Sequence, residues 1–347
     1  MESMKSMELN TELATLEPFR LEPVFVERIW GTADLRPWYD HVTEPTGSHD
    51  PGHYPIGEVW LTGDACQVVT GPLAGKTLGA VFAEHSRAML GSAAPESVQG
   101  ASPLLMKVIF AQEKLSVQVH PDDVLAQKYG QPRGKTECWY ALAAEPGAQV
   151  AAGLRAGVTL ETVEAEVADG TLEQSLEVLP VEAGDMVFVD AGTVHAIWPG
   201  SVLLETQQNS DITYRLFDYG RPRELHVAKA LEAIRLVTGA GKVAPVERAD
   251  RTVLVDSEYF RVEKMVVDGS RRGSSMRAKD ESAGLVWLFA AEGSGRIWPT
   301  SAGGFDGVDL PCRGMVAIPA ASPDWEIEDG GGLELIRITP RWPKATV

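Results

Sequence analysis

The chain has 347 residues, is 44% apolar and 23% charged, and carries a formal net charge of −18 from 49 acidic and 31 basic side chains. That length allows two or three core-bearing domains, and no apolar run is long enough for a transmembrane helix. An acidic surface of this size repels nucleic acid and anionic membrane, so neither is an expected partner.

The three cysteines, Cys66, Cys138 and Cys312, are far apart and form no CxxC pair. This argues against a disulfide framework or a thiolate zinc site and for a reducing, cytoplasmic setting. The N-terminal stretch MESMKSMELNTELATLEPF has no apolar core of the signal-peptide kind. LEPVFVERIWG then alternates weakly and reads as a strand pair or an entry arm. Residues 41–55 form a Pro/Gly/His-rich loop with His41, His49 and His53, a composition more typical of solvated loop than of a metal centre. Short strands are expected at 58–60 and 67–70. Over 77–90 the period becomes helical, with Thr77 as N-cap. LLMKVIF, residues 104–110, is an apolar run of strand length broken only by Lys107. A lysine there must reach the surface or find an anion.

LSVQVH, residues 115–120, alternates strictly, which places Ser116, Gln118 and His120 on one face of a strand. Such a face needs polar partners, and Gln118 and His120 can share a metal ion. Glu137, in GKTECWY, is a third potential ligand, and its neighbour Cys138 should face away. A strand follows at 149–153, then a helix from 159 and a second helix from Thr171 carrying Leu172, Leu176 and Leu179. Gly184, Gly192 and His195 fit the second signature of the cupin barrels, with Asp190 where proline is usual. In that pattern the hairpin aims His195 into the barrel. A further helix is expected at 227–237 and a linker at 238–250. Residues 251–347 alternate short strands with Gly-rich turns and contain no histidine. GMVAIPA there looks like a worn copy of the His195 hairpin, so a metal-free barrel is expected.

Gln118, His120, Glu137 and His195 make an N/O ligand set that suits one Zn2+ per chain, with Mn2+, Co2+ or Fe2+ sharing the ligand type. A phosphorylated substrate would have to be gathered against the global charge, and Lys107, Arg133, Lys135, Arg215, Arg221 and Arg223 are the candidate cations.

VQVHPDD, GKTECWY, AGTVHAI and LETQQNSDITYRLFDYGR strongly resemble the motifs of the type I mannose-6-phosphate isomerases, most closely the short bacterial form with two cupin domains. The resemblance covers about 21–234. It implies a mainly β fold of two cupin (jelly-roll) barrels with a small helical insertion in the catalytic half: a catalytic domain over 1–240, with helical segments near 77–90, 159–179 and 224–237, and a second barrel over 251–347. It implies that Gln118, His120, Glu137 and His195 bind the metal and that Arg215 is the active-site arginine. Lys135, Ser116 and Lys107 match positions lining the family's pocket, and Glu205 matches a pocket carboxylate. The expected reaction is aldose–ketose isomerisation of a phosphosugar by a monomer or homodimer. Glu205 or Lys135 would be the base, and Ser116, Lys107 and Arg133 would take the phosphate. An isomerase of another sugar, a redox-metal cupin oxygenase, and a non-catalytic sugar-binding cupin stand as alternatives. RIWGTADL, Val59 in GEVW and the 41–55 loop depart from the usual family pattern.

Overall fold

A computed structural model describes residues 15–41, 55–276 and 284–343. The loop histidines His49 and His53 lie outside the described residues, and His41 stacks on Phe25 at 4.2 Å between ring centroids.

Among the described residues four sheets lie one upon another. The first has five strands in the order Tyr214–Phe217, Val117–Val119, His195–Ile197, Gln149–Leu154 and Leu176–Pro180. The second has seven: Gly241–Lys242, Met186–Val189, Glu137–Ala144, Ser201–Gln208, Leu104–Ala111, Ile56–Trp60 and Val24–Thr32. Trp30, Ile109, Trp139 and Leu203 of the seven-stranded sheet share one core with Val150 and Ile197 of the five-stranded sheet, so the two face each other as a sandwich. The outer face of the five-stranded sheet (Val117, Val119, Ala151, Leu216) is covered by the helices Leu160–Asp169 and Val227–Ala233.

The third sheet has eight strands and the fourth has four, Ser270–Arg272, Trp325–Asp329, Gly295–Pro299 and Val308–Leu310. Leu288, Val316 and Leu335 meet Ile297, Leu310 and Ile327 in the core between them. The largest core joins the halves. Leu104, Met106, Val108, Cys138 and Tyr140 pack against Phe260, Trp287, Phe289, Ile336 and Ile338, with Leu78, Phe82 and Met89 of the helix Leu78–Leu90. This explains why LLMKVIF is nearly all apolar: both faces of that strand are covered. Cys138 lies in this core, on the face opposite Glu137, as strand alternation requires.

Thr77 caps the first helix, its Oγ1 accepting from Ala80 N at 3.3 Å. Three expectations are corrected. The second helix from Thr171 is a single 3-10 turn, Leu172–Ser175, followed by the strand Leu176–Pro180, which pairs with Gln149–Leu154. Leu172 and Leu176 are buried, so their spacing recorded burial under the sheet and not a continuing helix. The last helix of the catalytic half is only Val227–Ala233. The entry arm does not belong wholly to the first half, because Phe19–Glu22 pairs with Met315–Ile318 of the eight-stranded sheet. That strand would otherwise present an open edge, and the arm supplies the missing hydrogen bonds.

Candidate metal centre and cavity

In the five-stranded sheet, Arg215 lies opposite Gln118 and Gln118 opposite His195, so three site residues form one row across three adjacent strands. In the facing sheet, Lys107 lies opposite Glu205 and Glu205 opposite Trp139. Directly paired side chains sit about 5 Å apart, so Arg215, Gln118 and His195 form one polar row and Lys107 and Glu205 a second, which ends at the Trp139 ring. The two rows enclose a cavity of about 400 Å³ lined by Ser116, Gln118, Lys135, Glu137, Glu205 and Arg215, among others.

Two loops complete the site. HPDD and GKTE are held together by their own side chains. Asp122 accepts from Leu125 N at 2.9 Å and caps the helix Asp123–Lys128. Asp123 accepts from Gly134 N at 2.7 Å and from Gln208 Nε2 at 2.9 Å. Gly134 is required here, because a Cβ would overlap the Pro121 carbonyl. Gly192 has φ +92°, where a side chain is strained and would meet Arg235 at 2.7 Å. Its N–H donates to His120 O at 2.8 Å, tying the His195 hairpin to the HPDD loop. Asp190, in the usual proline position, closes the turn by accepting from Thr193 Oγ1 at 2.9 Å and Gly239 N at 3.1 Å.

The ligand set passes a chemical test of fit. His120, Glu137 and His195 are all buried, and their candidate ligand atoms lie within 4.8 Å of one another. Nδ1 of His120 is 2.7 Å from Ile212 O, and Nδ1 of His195 is 2.9 Å from Thr193 O. A carbonyl can only accept, so both Nδ1 atoms carry the proton and both Nε2 atoms offer a lone pair. Burial pushes both imidazoles toward the neutral form. His120 is held well below the usual histidine range, with Lys135 adding to the effect, and His195 is lowered to about 4. Glu137 Oε2 meets the Lys135 ammonium at 2.8 Å and lies 3.5 Å from His120 Nε2, while Oε1 lies 3.5 Å from His195 Nε2. The Gln118 amide places Nε2 3.2 Å from His195 Nε2, while its Oε1 accepts from Ser116 at 3.0 Å. A half-turn of the amide exchanges these atoms and presents oxygen to the ligand group.

A chain of alternating charge runs from the mouth of the cavity to this centre. Arg28 Nη2 meets Glu58 Oε2 at 2.8 Å, and Lys107 Nζ lies 3.5 Å from Glu58 and 3.0 Å from Glu205. Lys135 Nζ lies 3.6 Å from Glu205 and 2.8 Å from Glu137. Burial works to raise the Glu58 carboxyl, but the charges of Lys107 and Arg28 outweigh it and hold the group at about 2. Burial likewise opposes the Lys107 ammonium, yet Glu205 and Glu58 hold it above the usual lysine range. Lys107 has thus found its anions inside the protein.

Arg133 does not reach the cavity. Its Nη1 donates to the carbonyls of Ser102 and Pro103 at 3.2 and 3.1 Å, which makes it a loop brace and removes it from the phosphate contacts. Arg221 is likewise occupied outside the cavity, with Glu113 and the Lys114 carbonyl. The sequence reading missed Arg28, Glu58 and Asp211, all lining the cavity. Glu58 had a readable signal: a carboxylate inside the apolar strand IGEVW poses the same problem as Lys107 in LLMKVIF.

Residues 18–168 match the catalytic domain of type I phosphomannose isomerase. A mannose-6-phosphate isomerase of Streptococcus mutans is 32% identical over 92% of this chain and 97% of its own length. Mannose-6-phosphate isomerase ManA of Bacillus subtilis is 34% identical over 82% of this chain and 88% of its own. The crystal structure of the mannose 6-phosphate isomerase from B. subtilis superposes with a TM-score of 0.78 at 32% identity, covering 93% of this chain and all of that one.

Proposed function

The chain belongs to the mannose-6-phosphate isomerase family, and on that premise we propose that it interconverts mannose 6-phosphate and fructose 6-phosphate by moving a proton between C2 and C1 through a cis-enediolate. The observation that carries the reading is the buried cluster of His120, Glu137 and His195, which adjoins through Glu137 a cavity also lined by Gln118, Glu205, Lys135 and Arg215.

His120, His195, Glu137 and the Gln118 amide oxygen would hold one divalent ion, zinc by ligand type. When bound, that ion supplies a Lewis acid for the O1/O2 edge of the sugar. The remaining steps belong to the side chains. Glu205 is the proton carrier: it is buried, and its Oε1 lies between the Lys107 and Lys135 ammonium groups. Trp139 Nε1 donates to its other oxygen at 3.2 Å and fixes its orientation. Lys135, 3.1 Å from His120 Nε2, can donate to a sugar oxygen as negative charge develops. Arg215 brings a permanent cation to the same cavity and, with a guanidinium that stays protonated, serves charge stabilisation and not base catalysis. His120 and His195 are excluded as bases by their ligand role.

Supporting a cytoplasmic site of action are the three unpaired cysteines. The direct test is the purified chain with mannose 6-phosphate, coupled to fructose 6-phosphate detection, before and after chelation. Turnover that is lost with chelator and restored by zinc supports the reading. No turnover on mannose 6-phosphate after zinc addition overturns it.

A further inference from the structure

Isomerisation joins C1 and C2 to the reacting end of the cavity, so the 6-phosphate of the substrate must lie at the other end of the sugar. Lys107 and Lys135 are poorly placed to receive it. Both are buried ammonium groups placed among Glu58, Glu205 and Glu137, whereas a guanidinium paired with one carboxylate keeps further N–H donors to offer an anion without leaving its partner. Ser116 donates to Gln118 and so belongs to the reacting end.

The cavity is also lined by three guanidinium groups: Arg215, opposite Gln118, and Arg28 and Arg223. Arg215 is close enough to feel both of the others. After burial, the Arg223 charge acts to lower the Arg215 pKa, and Arg28 acts in the same direction. Like charges converging on one cavity of a strongly acidic protein are costly, unless an anion binds among them.

Resting on the isomerase reading above, we infer that Arg28 and Arg223 form a clamp for the substrate phosphate, with Glu58 and Asp218 as the positioning residues. Arg28 is carried on the entry-arm strand Val24–Thr32, whose pairing register with Ile56–Trp60 slips next to it, between Val26 and Glu27. Such irregularities re-aim a side chain. Gly57 allows the arm to lie this close, since a Cβ there would sit 2.7 Å from the Trp30 ring. Glu58, itself anchored by Trp60 Nε1 at 2.7 Å, then holds Nη2 of Arg28. Arg223 is fixed by a two-pronged pair with buried Asp218, Nε to Oδ2 at 2.7 Å and Nη2 to Oδ1 at 2.6 Å. That fork leaves Nη1 outside it. Two oriented guanidinium groups on opposite walls suit a phosphate dianion, which accepts several charge-assisted hydrogen bonds at once.

The test uses the zinc-loaded full chain with Arg28→Met and Arg223→Met, and two probes: mannose 6-phosphate turnover and inorganic phosphate, read as a competitive inhibitor and by calorimetry. Each variant should raise KM about thirtyfold or more and weaken inorganic phosphate at least tenfold, with kcat within about threefold. Asp218→Asn should raise KM by a smaller factor with kcat unchanged, a split that general destabilisation would not give, whereas Glu58→Gln, whose partner Lys107 touches Glu205, should raise KM and lower kcat together. Zinc content and melting temperature report whether each variant folds, and Arg28→Lys and Arg223→Lys, which keep the charge, should recover part of the loss. If both methionine variants leave KM and phosphate affinity within about twofold, or if kcat falls while KM holds, the clamp is wrong. If the unmodified chain fails to turn over mannose 6-phosphate, the isomerase reading fails, and calorimetry with inorganic phosphate still decides the clamp.

Discussion

The two sandwiches are built alike but filled differently. In the first, the facing walls carry Gln118, His195 and Arg215 against Lys107, Glu137 and Glu205, and a cavity of about 400 Å³ stays open between them. In the second, Trp325, Leu288, Leu335 and Ile327 occupy the interior, and the cavity beside Trp325 is about 40 Å³. The second interior is not free of charge. Glu263, fully buried, is met by Arg337 at 2.6 Å, Arg261 at 3.1 Å and Arg251 at 3.4 Å. Charge alone therefore does not make a site. In the second sandwich the cations close around a carboxylate, whereas in the first the alternating chain ends at two neutral imidazoles with lone pairs turned inward.

The sharpest way to break this contrast is His195→Ala. Both zinc and activity should be lost, activity by about ten-thousandfold or more, measured by metal analysis and the coupled assay. Activity surviving near the parent level would mean the imidazole pair is not the centre. Next, Glu205→Gln should lower kcat by about a thousandfold, with zinc content unchanged and KM little altered. A variant that loses its zinc would instead assign Glu205 a structural role.

The second interior gives the reciprocal experiment. Glu263→Ala leaves the guanidinium groups without their shared carboxylate and should cost about 3–5 kcal/mol of stability in urea unfolding. The folded fraction should keep its kcat/KM.

The pH dependence sharpens the same point. His120 and His195 have folded-state pKa values below the ordinary value, so the unfolded chain binds more protons as pH falls. Their contribution is complete above about pH 6.5 and is lost on acidification toward about 4, where His195 titrates. Of the order of 3 kcal/mol should disappear from the metal-free protein across that window through His195 alone. His195→Gln should flatten the dependence, whereas an equally steep one would place the titrating groups elsewhere. The smallest effect is expected from Asp190→Ala, about 1 kcal/mol in unfolding, from the lost Thr193 and Gly239 hydrogen bonds.

Much of the first interior was legible because strand alternation is strict there. Ser116, Gln118 and His120 could be placed on one face from residue type alone, and Cys138 on the opposite face from Glu137. The His195 hairpin was legible because glycine marks the turn. What the chain order hides is which strands become neighbours. Arg28 and Glu58 belong to the same cavity only because Val24–Thr32 and Ile56–Trp60 line up beside Leu104–Ala111. Arg133 misled for the same reason: its position beside GKTE is local, but its guanidinium is drawn to carbonyls at 102 and 103. The 3-10 turn at Leu172–Ser175 misled differently, since a capping-box spacing says nothing about a sheet waiting to claim Leu176.

The pairing of Phe19–Glu22 with Met315–Ile318 also sets an order of events during folding. Leu21 and Glu22 find partners nearby, at Gln67–Val68, whereas the other edge of the same strand waits for residues 315–318. The strands carrying Gln118, His120, Glu137 and His195 can come together before that clasp closes. A chain cut before residue 315 would therefore keep those four side chains but leave one edge of its entry strand bare, a target for proteases and for pairing with another copy.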